Sequence, residues 1–113
     1  MVAILMATYN GETYMKEQLD SLFTQTYQDF KLYVSDDAST DATYSILQSY
    51  QKKYPEKVFL YRNNTDHHGA KHNFMGLMLR HKAQYVMLCD QDDVWKPRKI
   101  EMTMQKMYQL EEE

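Results

Sequence analysis

The sequence predicts an α/β domain built on a mainly parallel sheet. Three observations carry this expectation. Strand-length apolar segments alternate with segments of helical spacing, in the order strand then helix, four times over 113 residues; that order feeds parallel strands through helical crossovers. The first strand is a continuous apolar run, which suits a strand covered on both faces. Three of the four strands end in polar clusters, Thr8-Tyr9-Asn10, Asp36-Asp37 and Asp90 to Asp93, at the carboxyl edge where parallel sheets receive ligands.

The opening MVAILMAT supplies the first strand, and Asn10-Gly11 breaks it. It lacks a basic leading region and is too short to span a bilayer, so it reads as neither a signal peptide nor a membrane helix. Between Tyr14 and Thr26, Met15, Leu19, Leu22 and Phe23 recur at helical spacing, with Lys16, Glu17 and Asp20 between them. Phe30, Leu32 and Val34 then alternate with Lys31, Tyr33 and Ser35 in a second strand that stops at Asp36-Asp37. Ser39, Thr40 and Asp41 are N-cap candidates for a helix carrying Tyr44, Ile46, Leu47, Tyr50 and Tyr54, which Pro55 ends. Val58 to Tyr61 form a short third strand before the polar loop RNNTDHHG, and Ala70 to His81 a third helix with Phe74, Leu77 and Met78 on its apolar side. Tyr85 to Cys89 are the fourth strand. Pro97 suits the first turn of a last helix in which Ile100, Met104, Met107 and Tyr108 share a face.

Composition narrows the function. Hydrophobic residues at 43% and charged residues at 26% are those of a globular chain, and the length suits one domain or part of one. Thirteen basic against sixteen acidic side chains give a net charge of −3, which offers no basic field for nucleic acid. The single Cys89 lies in an apolar run and reads as a small buried hydrophobe in a reducing, cytoplasmic compartment. Ten Tyr and nine Met fall at helix and strand spacings and imply no cofactor. The terminal EEE reads as a solvated helix end.

With three Gly in the chain, neither a dinucleotide G-x-G-x-x-G nor a P-loop can be built. A crevice rich in carboxylates repels phosphate unless a divalent cation intervenes. Asp90 and Asp92 have the hard oxygens that Mg²⁺ or Mn²⁺ takes, alongside substrate phosphate and water, with Asp92 the first choice and Asp93 adjoining. Tyr9 offers a ring face to a base, and Asp37 an acceptor for its N–H groups. Taken alone, D-x-D-D also fits a helix-capping turn. An EF-hand loop starting at Asp90 fails, because Trp95 stands where Gly is required and Val94 where a ligand is. Asp90-Gln91-Asp92-Asp93-Val94 also matches the first motif of haloacid dehalogenase-like phosphatases, but that motif normally ends the first strand and its partner motifs have no room after Asp93. His67, His68 and His72 lack a carboxylate partner set and read as a solvated loop and first helical turn.

Taken together, ATYNG (7–11), QLDSLFTQTYQDFKLYVSDDASTD (18–41) and CDQDDVWKP (89–97) resemble the N-terminal part of a family 2 glycosyltransferase of the GT-A fold. The similarity is greatest to bacterial rhamnosyltransferase-type enzymes that build cell-surface polysaccharides. The resemblance spans essentially the whole chain and implies a three-layer α/β/α fold, of which residues 1–113 would be the N-terminal, nucleotide-sugar-binding half. It implies that Thr8, Tyr9 and Asp37 hold the base, that Asn10, Gly11, Glu12 and Asp36 border the same donor site, and that Asp90, Gln91 and Asp92 meet the ribose and the metal. Lys71 and Asn73 would lie near the nucleotide by a looser match. It also implies a glycan or lipid-linked acceptor, an inverting outcome, and a site at the inner face of the membrane for the full-length protein. The catalytic base would stand beyond Glu113. The expectations are a fragment inactive on its own, apolar surface left uncovered, and self-association through it. A non-catalytic nucleotide-binding or interaction module is the alternative from another class.

Overall fold

The computed structural model describes residues 1–62, 85–90 and 92–112. Its centre is the opening apolar run. β1 (Val2–Thr8) is buried along its whole length, because it has a strand on each side and side chains packed over both faces. β2 (Phe30–Asp36) pairs along one edge and β4 (Tyr85–Cys89) along the other, with β3 (Val58–Arg62) beyond β2. The order is β3-β2-β1-β4, and every pairing is parallel. In this register Ile4 stands between Leu32 and Met87, and Met6 between Val34 and Cys89.

The even-numbered side of β1 faces the larger core. Val2, Ile4 and Met6 pack there with Leu32, Val34 and Val58 from β2 and β3, and with Cys89 from β4. Among the described residues three helices supply the covering layer: α1 (Glu12–Phe23) with Met15, Leu19 and Leu22, α2 (Thr43–Lys53) with Leu47, and α3 (Lys99–Glu112) with Ile100 and Met104. On the opposite face Ala3, Leu5 and Tyr33 form a smaller cluster with Phe59 and Tyr61. This is the parallel α/β architecture expected from the sequence. The predicted helix from Ala70 to His81 and the loop RNNTDHHG after Arg62 lie outside the described residues.

Three details differ from the sequence reading. Helix α1 runs from Glu12, capped by Gly11, rather than from Tyr14, and ends at Phe23 rather than Thr26, with Thr24 as its C-cap. Helix α3 begins at Lys99, two residues after Pro97, whose carbonyl accepts a hydrogen bond from the Thr26 N–H at 2.9 Å. Of the four residues expected on its inner face, Ile100 and Met104 are buried, whereas Met107 and Tyr108 are exposed. The Tyr108 ring meets edge-on the ring of Tyr85, the first residue of β4, so α3 passes the amino edge of the sheet there. Beyond it Leu110 is also exposed.

Removing the Ile4 side chain beyond Cβ opens a cavity in the middle of the sheet. Ile4→Ala is expected to cost about 2–5 kcal/mol in urea unfolding, with an unchanged m-value. Leu110→Ala should stay within about 0.5 kcal/mol of the parent.

Candidate functional site

In the order β3-β2-β1-β4, the chain moves outward from β1 through β2 to β3 and returns to the other side of β1 for β4. The carboxyl ends of β1 and β4 therefore stand side by side where the strand order reverses, the position at which parallel sheets receive a ligand in the crevice outside the strand ends. The polar clusters predicted at the strand ends all stand at this edge.

The β1 and β2 loops are tied to each other by buried polar groups. Asp36 ends β2 opposite Thr8 and is fully buried. Its Oδ1 accepts the Thr8 hydroxyl at 2.7 Å and the Ser39 hydroxyl at 2.6 Å, and its Oδ2 accepts the Ser39 N–H at 2.9 Å. A buried carboxylate is tolerated when such donors satisfy it. Ser39 Oγ in turn accepts the Asn10 N–H at 2.9 Å, and Asn10 Oδ1 accepts the Thr40 N–H at 2.8 Å. The Asp37 N–H continues the ladder to the Thr8 carbonyl at 2.8 Å. Thr8 and Asp36 thus lie beneath the crevice with their hydrogen-bonding groups used inside the protein. The Tyr9 ring is 54% exposed at its mouth.

Gly11 and Glu12 join this frame to α2. The buried Gly11 N–H donates to Thr43 Oγ1 at 2.8 Å. Glu12 and Asp41 exchange contacts: the Glu12 N–H donates to Asp41 Oδ2 at 3.2 Å, and Glu12 Oε2 accepts the Ala42 N–H at 3.3 Å. None of the three N-cap candidates is the cap: Ala42 holds that position with no side-chain hydrogen bond, and Asp41, one residue earlier, accepts the Thr43 N–H at 2.9 Å as well as its hydroxyl, while Ser39 and Thr40 are spent on the β1 loop. Partial burial works to raise the pKa of the Asp41 carboxyl, but hydrogen bonds from the Thr43 hydroxyl and from the Thr43 and Glu12 N–H groups outweigh it. The carboxyl therefore lies below its ordinary value.

Across the crevice, Asp90 and Asp92 are exposed in the turn after β4. Asp93 is half-buried, and its Oδ2 accepts the Trp95 Nε1–H at 3.0 Å, so it is the least available of the three. A buried polar strip on α1 and just past its end holds this turn from below. Gln18, Ser21 and Gln25 are three and four residues apart and all buried. The Gln18 amide donates through Nε2 to the Asp90 carbonyl and to Cys89 Sγ, and accepts the Asp92 N–H through Oε1 at 3.2 Å. Ser21 Oγ accepts the Trp95 N–H at 3.1 Å. Gln25 donates to the Lys96 carbonyl at 2.6 Å and accepts the Ile100 N–H at 3.1 Å. Burial pushes the Cys89 thiol up to about 12, against the opposing pull of its Gln18 hydrogen bond. The residue acts as a small inert hydrophobe, as the apolar run around it suggested.

The sequence reading missed this strip and Arg62. The signal for the strip was polar residues at helical spacing inside the apolar stripe of α1, where a solvated face would not place them. Arg62 stands opposite Asp36 in the sheet register, stacks on the Tyr44 ring at 4.5 Å and donates to the Ser39 carbonyl at 3.2 Å. Lys71, Asn73 and Gln91, and the histidines 67, 68 and 72, lie outside the described residues.

Among the described residues, three non-glycine residues have positive φ: Asn10 at 47°, Ala38 at 55° and Asp92 at 74°. Each sits in a different loop of this edge. Asn and Asp tolerate the left-handed region and Ala does so less readily, so backbone strain is concentrated around the crevice.

Among the described residues, no three His, Cys, Asp or Glu side chains converge to hold a metal ion. Two exposed carboxylates suit Mg²⁺ or Mn²⁺ nonetheless, since these ions take one or two carboxylates and complete their shell with phosphate oxygens and water. The donor set fits a cation that arrives with a phosphorylated substrate, not a resident site built wholly from protein.

Comparison with known proteins follows the same lines. The family profile described as Glycosyl transferase family 2 matches residues 3–113. The dTDP-rhamnosyl transferase RfbG of Shigella flexneri is 38% identical over 98 residues, covering 84% of this chain and 34% of that protein. The structure of S. aureus TarS in complex with UDP superposes with a TM-score of 0.82 at 26% identity, over 96% of this chain and 32% of TarS. The mannosyltransferase PcManGT of Pyrobaculum calidifontis, in complex with GDP-Man and Mn²⁺, gives a TM-score of 0.76 at 27% identity, over 86% of this chain and 29% of that one. The chain spans about a third of the length of these relatives.

The hydrogen bonds that Asp41 accepts before α2 give the fold a pH dependence of known sign. The folded pKa of Asp41 lies below the ordinary value of 3.8, so its contribution is present above that value and is lost as pH falls through the folded one. Asp41→Asn should therefore lower the urea midpoint at pH 7, and the difference from the parent should shrink in a series taken down to pH 3. A constant difference across the series would show that the carboxylate charge is not what braces the start of α2.

Proposed function

The chain belongs to glycosyl transferase family 2, and from that premise we propose that its carboxyl edge holds the nucleoside diphosphate of a sugar donor through a divalent cation. The observation that carries this reading is the placement of two exposed carboxylates, Asp90 and Asp92, across the β1–β4 crevice from the exposed ring of Tyr9 and the strand end at Asp37. Tyr9 stacks on the base and Asp37 accepts its N–H groups. Asp90 meets the ribose and, with Asp92, the cation, while Asp93 stays with Trp95. Asn10, Gly11 and Glu12 shape the near wall, and Thr8 and Asp36 fix it from beneath. Lys71, Asn73 and Gln91 are assigned to the same donor by resemblance. When bound, Mg²⁺ or Mn²⁺ neutralises charge on the departing diphosphate. In the whole protein the sugar passes to a glycan or lipid-linked acceptor.

The printed names of the relatives carry dTDP, UDP and GDP, so all three are candidate nucleotides here. Family membership sets the phosphatase alternative aside, and a non-catalytic module remains as an outcome of the test. Among the described residues no helix is long and apolar enough to cross a membrane. A single free, buried thiol supports a cytoplasmic setting. Val86 and Leu88, exposed on β4, support self-association, for which sedimentation should show a concentration-dependent mass and a strictly monomeric profile would count against it.

Calorimetric titration with UDP, GDP and dTDP, each with and without Mn²⁺, tests the donor reading. One nucleoside diphosphate should bind, and only with the cation present. Asp92→Asn should weaken that binding by about tenfold or more, in line with the loss of a cation ligand, without moving the thermal midpoint downward. Silence towards all three nucleotides would favour the interaction module.

A further inference from the structure

The crevice has two walls with no covalent continuity near the site: the β1–β2 frame with Tyr9 and Asp37, and the acidic turn after β4. Helix α1 contacts both. Its first residues are bonded into α2 and the β1 loop through Gly11 and Glu12. One turn and a half further on, Gln18 reaches the backbone of the acidic turn.

We infer that Gln18 is a positioning residue for the donor site, setting the backbone of the acidic turn so that the Asp90 and Asp92 carboxylates face the crevice together. Gln18 is fully buried. Its amide spans the turn, with Nε2 on the Asp90 carbonyl and Oε1 on the Asp92 N–H. Only this amide orientation satisfies both backbone groups; the flipped one would set acceptor against acceptor and donor against donor. The residue it grips is strained, since Asp92 holds φ 74°, and a left-handed residue persists where its surroundings enforce it. No purely apolar side chain at position 18 could do this, which accounts for a buried amide beside Met15, Leu19 and Leu22. In metal sites, groups that orient the ligands without touching the ion typically change affinity by about 10–100-fold when removed. The effect on affinity rests on the donor reading above; the effect on the turn does not.

The test pairs two readouts on the 113-residue chain. Amide hydrogen exchange of the free protein should show the Asp92 N–H protected in the parent and unprotected in Gln18→Met, which keeps the side-chain length and removes both hydrogen bonds. Titration of the nucleoside diphosphate with Mn²⁺ should give about tenfold weaker binding for the same variant. Leu47→Val, a core change on α2 away from the turn, serves as the control for lost stability: it should unfold at lower urea while keeping both the protection and the affinity. Equal protection of Asp92 in parent and Gln18→Met, or an equal loss in Leu47→Val, would overturn the inference. Should Gln18→Met not fold, an unprotected Asp92 amide in the parent overturns it and a protected one upholds it. If the parent binds no nucleotide while Gln18→Met still loses protection, the donor reading fails and the positioning role stands.

Discussion

The buried carboxylate of Asp36 is the interaction on which this edge of the protein depends. It is fully buried at the end of a central strand, a position that is costly for a charge unless donors surround it. Thr8 and Ser39 supply them. In doing so they join the loop after β1 to the loop after β2, and Ser39 extends the tie to the Asn10 backbone. Taking away the carboxylate would strand two hydroxyls and an N–H group in a dry place, a larger loss than the net worth of any of these hydrogen bonds.

Around that anchor the edge is over-determined rather than loose. Buried side chains of α1 grip the acidic turn from below, and Glu12 and Asp41 brace the start of α2 from the side. This bracing sustains left-handed backbone at Asn10, Ala38 and Asp92. Such strain is tolerated where a site gains from fixed geometry, because a crevice already shaped for its ligand spends less ordering it on binding. The stable part of the domain, the fully buried β1 with helices packed on one face, lies directly under the strained part and supports it.

Much of this was legible in the residues. A continuous apolar run announced β1, and the polar stops at Thr8, Asp36 and Asp90 marked the carboxyl edge, because strand period and burial are printed directly into the sequence. The division of labour among carboxylates was not. Asp36 and Asp37 are adjacent, identical in type and both buried, and only the strand register decides which one ties the β1 and β2 loops together. Nothing in the spacing of Asp90, Asp92 and Asp93 told that the last of them accepts the Trp95 Nε1–H. Gln18, Ser21 and Gln25 were hidden because a polar residue on a helix usually faces water. Met107 and Tyr108 kept perfect helical spacing, yet spacing does not reveal where the sheet under a helix ends.

The account's central claim is that the two walls of the β1–β4 crevice meet one ligand and one cation. Paramagnetic broadening of backbone amide signals by Mn²⁺, with a bound nucleoside diphosphate, reads this directly. The amides of Asp90, Asp92 and Asp93 should broaden first, followed by those of Tyr9 to Gly11 across the crevice, and the nucleotide should be required for both. Broadening centred elsewhere, for instance on the acidic end of α3 around Glu111, or equal broadening with and without nucleotide, would contradict it.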